Sequence, residues 1–389
     1  MRSSSGAHYI ALDHIRALAA FMVFTWHFTH ASNGYPVPFD YVPGFYPFAL
    51  LDEGHTGVAL FMTLSGYLFA KLLDGKSIDY AAFFWNRALR LLPLLAVVIL
   101  IIGILKFRAG RDMYAYAYSI AQGAIFPTLP NGGWSITAEF HFYAILPLFL
   151  WMLRKSKLLP ISIIIAAIAL RMFLYQQKGE IQSLAYWTII GRIDQFALGI
   201  LLYQFRAYIA HRHVLAIAIF TGFAMFYWYF DLHGGFFQNP SYPSPNPLWI
   251  IFPTIEGIAY AVGIAWYESS FAHSTTGVSR FIGRIGEYSY SIYLFHFFVV
   301  FNAAIFIHQR VMDISNFYLA CLWSAVFFLL MMPVGYLSFR FIEAPFLRHR
   351  KHYILAPKGS REMPGLAVQQ GVPASGESVP VSPIVERQL

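Results

Sequence analysis

Residues 316–340 read NFYLACLWSAVFFLLMMPVGYLSFR, with no charged side chain between Asn316 and Arg340. A helix needs about 20 mostly apolar residues to cross the hydrocarbon core of a bilayer, so this stretch predicts a transmembrane helix. The pattern recurs back along the chain. Apolar windows bounded by polar residues, Pro or Gly fall at 10–30, 55–73, 91–106, 134–153, 158–174, 184–204, 214–230, 248–267 and 286–308. Together they predict an all-α fold, a polytopic membrane helical bundle of about ten transmembrane helices. The composition agrees. The 389 residues are 58% hydrophobic and only 12% charged, half the roughly 25% charge of a soluble domain. Segment 107–133, with Tyr114, Tyr116 and Tyr118, reads as a re-entrant or interfacial helix. Were it to span, the topology after it would invert.

Loop charge orients the bundle. With the N-terminus placed inside, sixteen Lys and Arg residues fall in inner segments and five in outer ones. The positive-inside rule then predicts ten spans with both termini cytoplasmic. The net charge of +8 is explained by those loops, so no nucleic-acid partner is expected. A single cysteine, Cys321, excludes an internal disulfide and a paired-cysteine metal site, and no metal is expected. The first apolar run carries Asp13, His14 and Arg16 at its start, and no small-residue cleavage site follows it. It reads as a retained span rather than a signal peptide. From His352 the chain is rich in Pro, Gly, Ser and Val without periodicity. Residues 1–351 are therefore expected to form the membrane-embedded domain, and 352–389 a disordered cytoplasmic tail.

Function is sought where charge enters a span, because a charge at mid-bilayer costs about 2.5–3.5 kcal/mol on insertion scales. Arg16 and His27 share the first window, eleven residues apart. At 100° per residue they differ by roughly 20°, and they lie roughly 16 Å apart along the axis. One polar stripe thus has a cation suited to phosphate at one end and a base at the other. Arg87 and Arg90, at i and i+3 before the third window, are bidentate phosphate ligands in kind. The fourth window opens Asn131-Gly132-Gly133-Trp134-Ser135, with Glu139 five residues in. That matches the depth of His27, so a carboxylate there could fix its tautomer. Asp13, Trp134, Arg192 and His296 are candidate site-lining residues, while Asp194 and Glu256 are further charges within windows. Glu343 reads as an anchor for the last helix. No Gly-rich phosphate loop, HExxH or GxSxG occurs.

In order along the chain, these pieces resemble the acyltransferase-3 family of bacterial membrane proteins. The likeness begins at Leu12-Asp13-His14-Ile15-Arg16 and reaches His27, fitting an Arg-x10-His motif. It continues through Gly57-Val58, Phe61 and Ser65-Gly66-Tyr67-Leu68, then Arg87-x-x-Arg90. Trp134-Ser135 with Glu139 and Tyr143 follow, then Arg192 with Phe196 and Gly199. Ser289 to Leu294 with His296, and Phe341-Ile342-Glu343-Ala344-Pro345, complete it. Phe140 and His141 depart from the residues many members carry after the glutamate. Some members add a soluble esterase-like domain, which is absent here, so the membrane part is expected to act alone.

The resemblance implies acyl transfer, usually of acetyl, from cytoplasmic acyl-CoA to a hydroxyl of a surface or lipid-linked carbohydrate. No bound cofactor is implied: acyl-CoA is the donor substrate. The partners would be that donor, a carbohydrate or glycolipid acceptor and membrane lipid, in the bacterial inner membrane. His27 and Glu139 would be catalytic, and Arg16, Arg87 and Arg90 would bind the donor. An ion-coupled transporter or flippase of a lipid-linked glycan is the rival reading of the same buried charges. No inverted repeat or matched pair of broken helices supports it.

Overall fold

The computed structural model describes residues 9–355. Helix α1, Ile10–Thr29, leads through a loop holding the short α2, Ala49–Asp52, into α3, Gly57–Leu73. Strand β1, Ser77–Ile78, precedes α4, Tyr80–Arg108, whose first turn is capped by Asp79 accepting from the Ala82 N–H at 3.1 Å. Helix α5, Met113–Gln122, is capped the same way by Asp112. It is followed by α6, Trp134–Lys155, and α7, Ile161–Lys178. The short α8, Gln182–Trp187, breaks at Thr188 into α9, Ile189–Ile209; α10, His213–Leu232, and α11, Phe252–Ser270, come next. The last third comprises α12, Gly277–Glu287; α13, Ser289–Phe295; α14, Val300–Phe306; α15, Phe317–Ser338; and α16, Ala344–Leu347. Strand β2, Ile354–Leu355, returns to pair antiparallel with β1. The all-α bundle predicted from the windows is what forms.

Six helices among the described residues are long and apolar enough to cross a membrane, or seven if the pair Ser289–Phe298 and Val300–Val311, bent by 56°, is one span. This is fewer than ten, for a physical reason. The expected windows also cover α1, α9 and α11, of 20, 21 and 19 residues. Each carries buried ionisable residues that lower its apolarity: Asp13 on α1, Arg192 and Asp194 on α9, Glu256 on α11. These helices pack with α3 at the centre of the bundle. The α3 window is 78% buried, against 17% for α7, so α3 is central and α7 peripheral. Segment 107–133 does not span: α5 has ten residues, about 15 Å.

Contact between α3 and α9 depends on two glycines. A Cβ on Gly66 would lie 2.1 Å from the Phe196 carbonyl oxygen, and one on Gly199 would lie 2.1 Å from that of Thr63. Small residues let helix backbones approach this closely in a membrane.

Two boundaries differ from expectation. Helix α4 begins at Tyr80, eleven residues before its window, so Arg87 and Arg90 sit in its early turns rather than in a loop. Residues 352–355, expected in the tail, include β2 and the buried Tyr353. The rest of the expected tail, 356–389, lies outside the described residues.

Candidate active site

Two cavities lie along α1. The first, of about 200 Å³, is lined by Asp13, Arg16, Arg87, Arg90, Glu139, Tyr143 and Arg350 among others. The second, of about 430 Å³, is lined by His27, His30, His55 and a set of aromatic rings including Trp26, Trp134, Tyr186 and Trp187. Val58 and Tyr293 belong to both walls, so the cavities adjoin. The stripe inferred from an eleven-residue spacing thus opens at one end on arginines and at the other on histidines.

In the arginine cavity, Arg16 donates to Asp13 and Arg90 to Glu343, which also accepts from Ser291. Glu343, expected as an anchor, is therefore buried as the counter-ion of Arg90. Arg87 has no carboxylate partner among the described residues and lies over the rings of Phe69 and Phe83, 5.3 and 5.5 Å from their centroids. Glu139 accepts from the Tyr143 hydroxyl one turn on.

The expected pairing of Glu139 with His27 does not form. Trp134, at the start of α6, reaches the histidine cavity, whereas Glu139 faces the arginines. Five residues turn a helix by about 140° and advance it about 7.5 Å. Equal depth in two helices therefore did not mean equal direction.

His27 is held otherwise. Its Nδ1 lies 2.8 Å from the Val23 carbonyl oxygen and 3.3 Å from Nε2 of His296. The Nδ1 of His296 lies 2.6 Å from the Tyr293 carbonyl oxygen. Carbonyls only accept, so each neutral ring carries its proton on Nδ1. The His27 N–H is then shared between Val23 and the lone pair of His296, and Nε2 of His27 keeps its own lone pair. His296 begins the 3₁₀ turn that follows α13, just ahead of the bend into α14.

The wall of the histidine cavity is braced from behind. Gly132, at φ +74°, has no room for a Cβ, which would lie 2.8 Å from the Tyr293 hydroxyl; that hydroxyl donates to the Gly132 carbonyl at 3.1 Å. This docks the Asn131–Trp134 turn. The Arg192 guanidinium sits 4.5 Å from the Tyr186 ring centroid and 5.6 Å from that of Trp134. Its Nε donates to the Tyr186 carbonyl and its Nη1 to Gln195. Glu256 lies 3.6 Å from Arg192 and accepts from Thr56, Tyr227 and Gln195. Arg192 and Glu256 thus support the ring wall from outside the cavity.

Asp194 pairs with Arg171 of α7 rather than with its neighbour Arg192. Arg171 was passed over in the sequence, although a lone arginine inside an apolar window was itself the signal. Also passed over were His30, whose Nε2 lies 3.3 Å from the Asp52 backbone carbonyl oxygen, and His55, bonded to the Glu53 carboxylate, both at the same cavity.

A family model described as an acyltransferase domain matches residues 9–340. The O-acetyltransferase OatA of Staphylococcus aureus strain NCTC 8325 is 25% identical over 76% of this chain and 53% of its own length. A Komagataeibacter xylinus protein named "Putative membrane-bound transacylase BcsY" is 28% identical over 46% of this chain and 53% of its own. The chain spans about half the length of the curated relatives it matches. No solved structure matches it. The family match covers the arginine stripe, both histidines and the ring wall together, and on that extent the chain belongs to the acyltransferase-3 family.

Proposed function

We propose that this chain is a membrane O-acyltransferase. It moves an acyl group, in the simplest case acetyl, from acyl-CoA in the arginine cavity to a hydroxyl of a surface or lipid-linked carbohydrate in the histidine cavity. One observation carries the reading: the two cavities adjoin at Val58 and Tyr293, with guanidinium groups in one and an oriented histidine in the other. Guanidinium groups suit the phosphates of CoA. Aromatic walls suit the apolar faces of a sugar.

In this mechanism the acceptor hydroxyl attacks the thioester carbonyl while Nε2 of His27 takes its proton. The tetrahedral intermediate collapses, the C–S bond breaks, and the thiolate leaves to be protonated as free CoA. Val23 and His296 hold the ring in the tautomer the step needs. Glu139, bonded to Tyr143, offsets the arginine charge along the thioester's path and does not orient His27.

The test is thiol release from acetyl-CoA by the purified chain in nanodiscs supplied with a lipid-linked glycan extract. Release is expected only with extract present, matched by an acetyl ester on the glycan in mass spectrometry. Glycan movement without thiol release would overturn the enzyme in favour of the flippase.

The proposed setting is the bacterial inner membrane, with both termini and the arginine cavity on the cytoplasmic side. The sixteen-to-five distribution of Lys and Arg supports it. Single cysteines placed at 31–54 or 231–247 are expected to react with an impermeant maleimide in intact cells. Reaction at 231–247 only after permeabilisation would reverse the topology.

A further inference from the structure

Residues 348–355 leave α16 and return along the start of α4 as a strap. It is pinned on both sides of Arg350. The Trp85 indole N–H donates to the His349 carbonyl at 3.2 Å. The Asn86 amide donates to the Lys351 carbonyl at 2.7 Å and accepts from the Lys351 N–H at 2.9 Å. Further on, the Asp79 N–H donates to the Tyr353 carbonyl at 2.9 Å. Tyr353 is buried with its ring 5.6 Å from that of Phe83, and β2 then pairs with β1. The backbone at Arg350 is therefore fixed against the helix that carries Arg87 and Arg90.

Arg350 lies on the wall of the arginine cavity. It is half-buried, yet its guanidinium makes no hydrogen bond and no ion pair with a described residue, and its Nε is shut away from solvent as well. Its planar fork of five N–H donors meets no acceptor among the described residues. Of the other cations lining the cavity, Arg16 and Arg90 are committed to Asp13 and Glu343. Arg87 too has no carboxylate partner among the described residues, and its buried Nε has no hydrogen-bond partner there. Burial first, then the neighbouring Arg87 and Arg90, draw the Arg350 guanidinium down to about 10. Like charges held together in a partly dry cavity favour an anion between them.

We propose that Arg350, delivered by the strap, and Arg87, from α4, together clamp one phosphate of acyl-CoA in the arginine cavity. This rests on the donor reading above and deepens it with a residue outside the motifs that suggested the donor. Two guanidinium forks from elements far apart in sequence meet a phosphate bidentately. Because the strap and α4 are bonded together, the clamp is formed before the ligand arrives.

The test is calorimetric CoA binding to the full chain in phosphatidylcholine nanodiscs. A hydrogen bond to a charged group contributes enough that Arg350→Gln should weaken CoA about ten- to a hundredfold, and Arg87→Gln similarly. Arg350→Lys should fall between, since it keeps the charge and loses the fork. Arg348→Gln, exposed on the same strap, should bind as the parent does. Arg350→Gln with parental affinity, beside a weakened Arg87→Gln, would overturn the clamp and leave the donor reading standing. No CoA binding by the parent would overturn both. Phosphatidylglycerol retained by the parent and lost from Arg350→Gln, with CoA affinity unchanged, would assign the clamp to a lipid headgroup and overturn its place in the donor site. Should Arg350→Gln fail to fold, phenylglyoxal on the parent chain decides. CoA is expected to slow modification of Arg350, and an unprotected Arg350 would count against the clamp.

Discussion

His27→Ala is expected to lower acyl transfer by about 10²–10⁴-fold, the usual loss when a general base is removed, while CoA binding stays at the parental level. The reason is geometric. His27 lines the histidine cavity, whereas the arginines proposed to hold the donor line the other. A sugar hydroxyl is a weak nucleophile at neutral pH, and among the described residues no carboxylate is bonded to His27 to take over its proton. The measurement is steady-state thiol release with acceptor present, alongside CoA affinity by calorimetry. A variant that transfers at close to the parental rate would remove His27 from the chemistry. Thiol release by the parent with no acceptor would instead indicate an acyl-histidine intermediate, since only a covalent route can discharge the donor alone.

Arg171→Leu should destabilise the fold more than any other single change considered. Both Arg171 and Asp194 are 0% exposed, and the guanidinium meets the carboxylate through Nη1 and Nη2 at 3.0 and 2.6 Å. It also donates to the carbonyls of Ile250 and Ile190 and to Thr254. Removing one partner of such a pair leaves a buried charge and costs about 3–5 kcal/mol, whereas replacing both by apolar residues is often close to neutral. Thermal unfolding in detergent should therefore show a large fall in Tm for Arg171→Leu and substantial recovery in Arg171→Leu/Asp194→Leu. A single variant as stable as the double variant would mean that the pair does not tie α7 to α9.

The bundle was legible because a bilayer imposes a length and an apolarity that one window can meet by itself. The stretch from Asn316 to Arg340 needs no partner to be read as a span. The shared face of Arg16 and His27 was legible for a similar reason: both stand on one helix, and helical geometry relates them without reference to anything else. Arg171 carried a signal of the same kind, as an isolated intramembrane charge, but was passed over, and its partner was not legible. Asp194 sits two residues from Arg192 in sequence and bonds to Arg171 across a helix interface instead.

What the chain alone determined were the properties that belong to one helix at a time: which segments are apolar, where charge interrupts them, and which residues share a face. The tertiary structure decided everything that depends on two helices meeting. It turned Glu139 toward Tyr143 and the arginines, because depth along an axis does not set azimuth around it. It packed the ninth window against α1 so that His296, rather than a carboxylate, stands beside His27. It also laid residues 348–355 along α4, placing Arg350 beside Arg87. Interhelical bonds of this kind form between residues up to 299 positions apart, and no local periodicity encodes which distant groups will face each other once the helices pack.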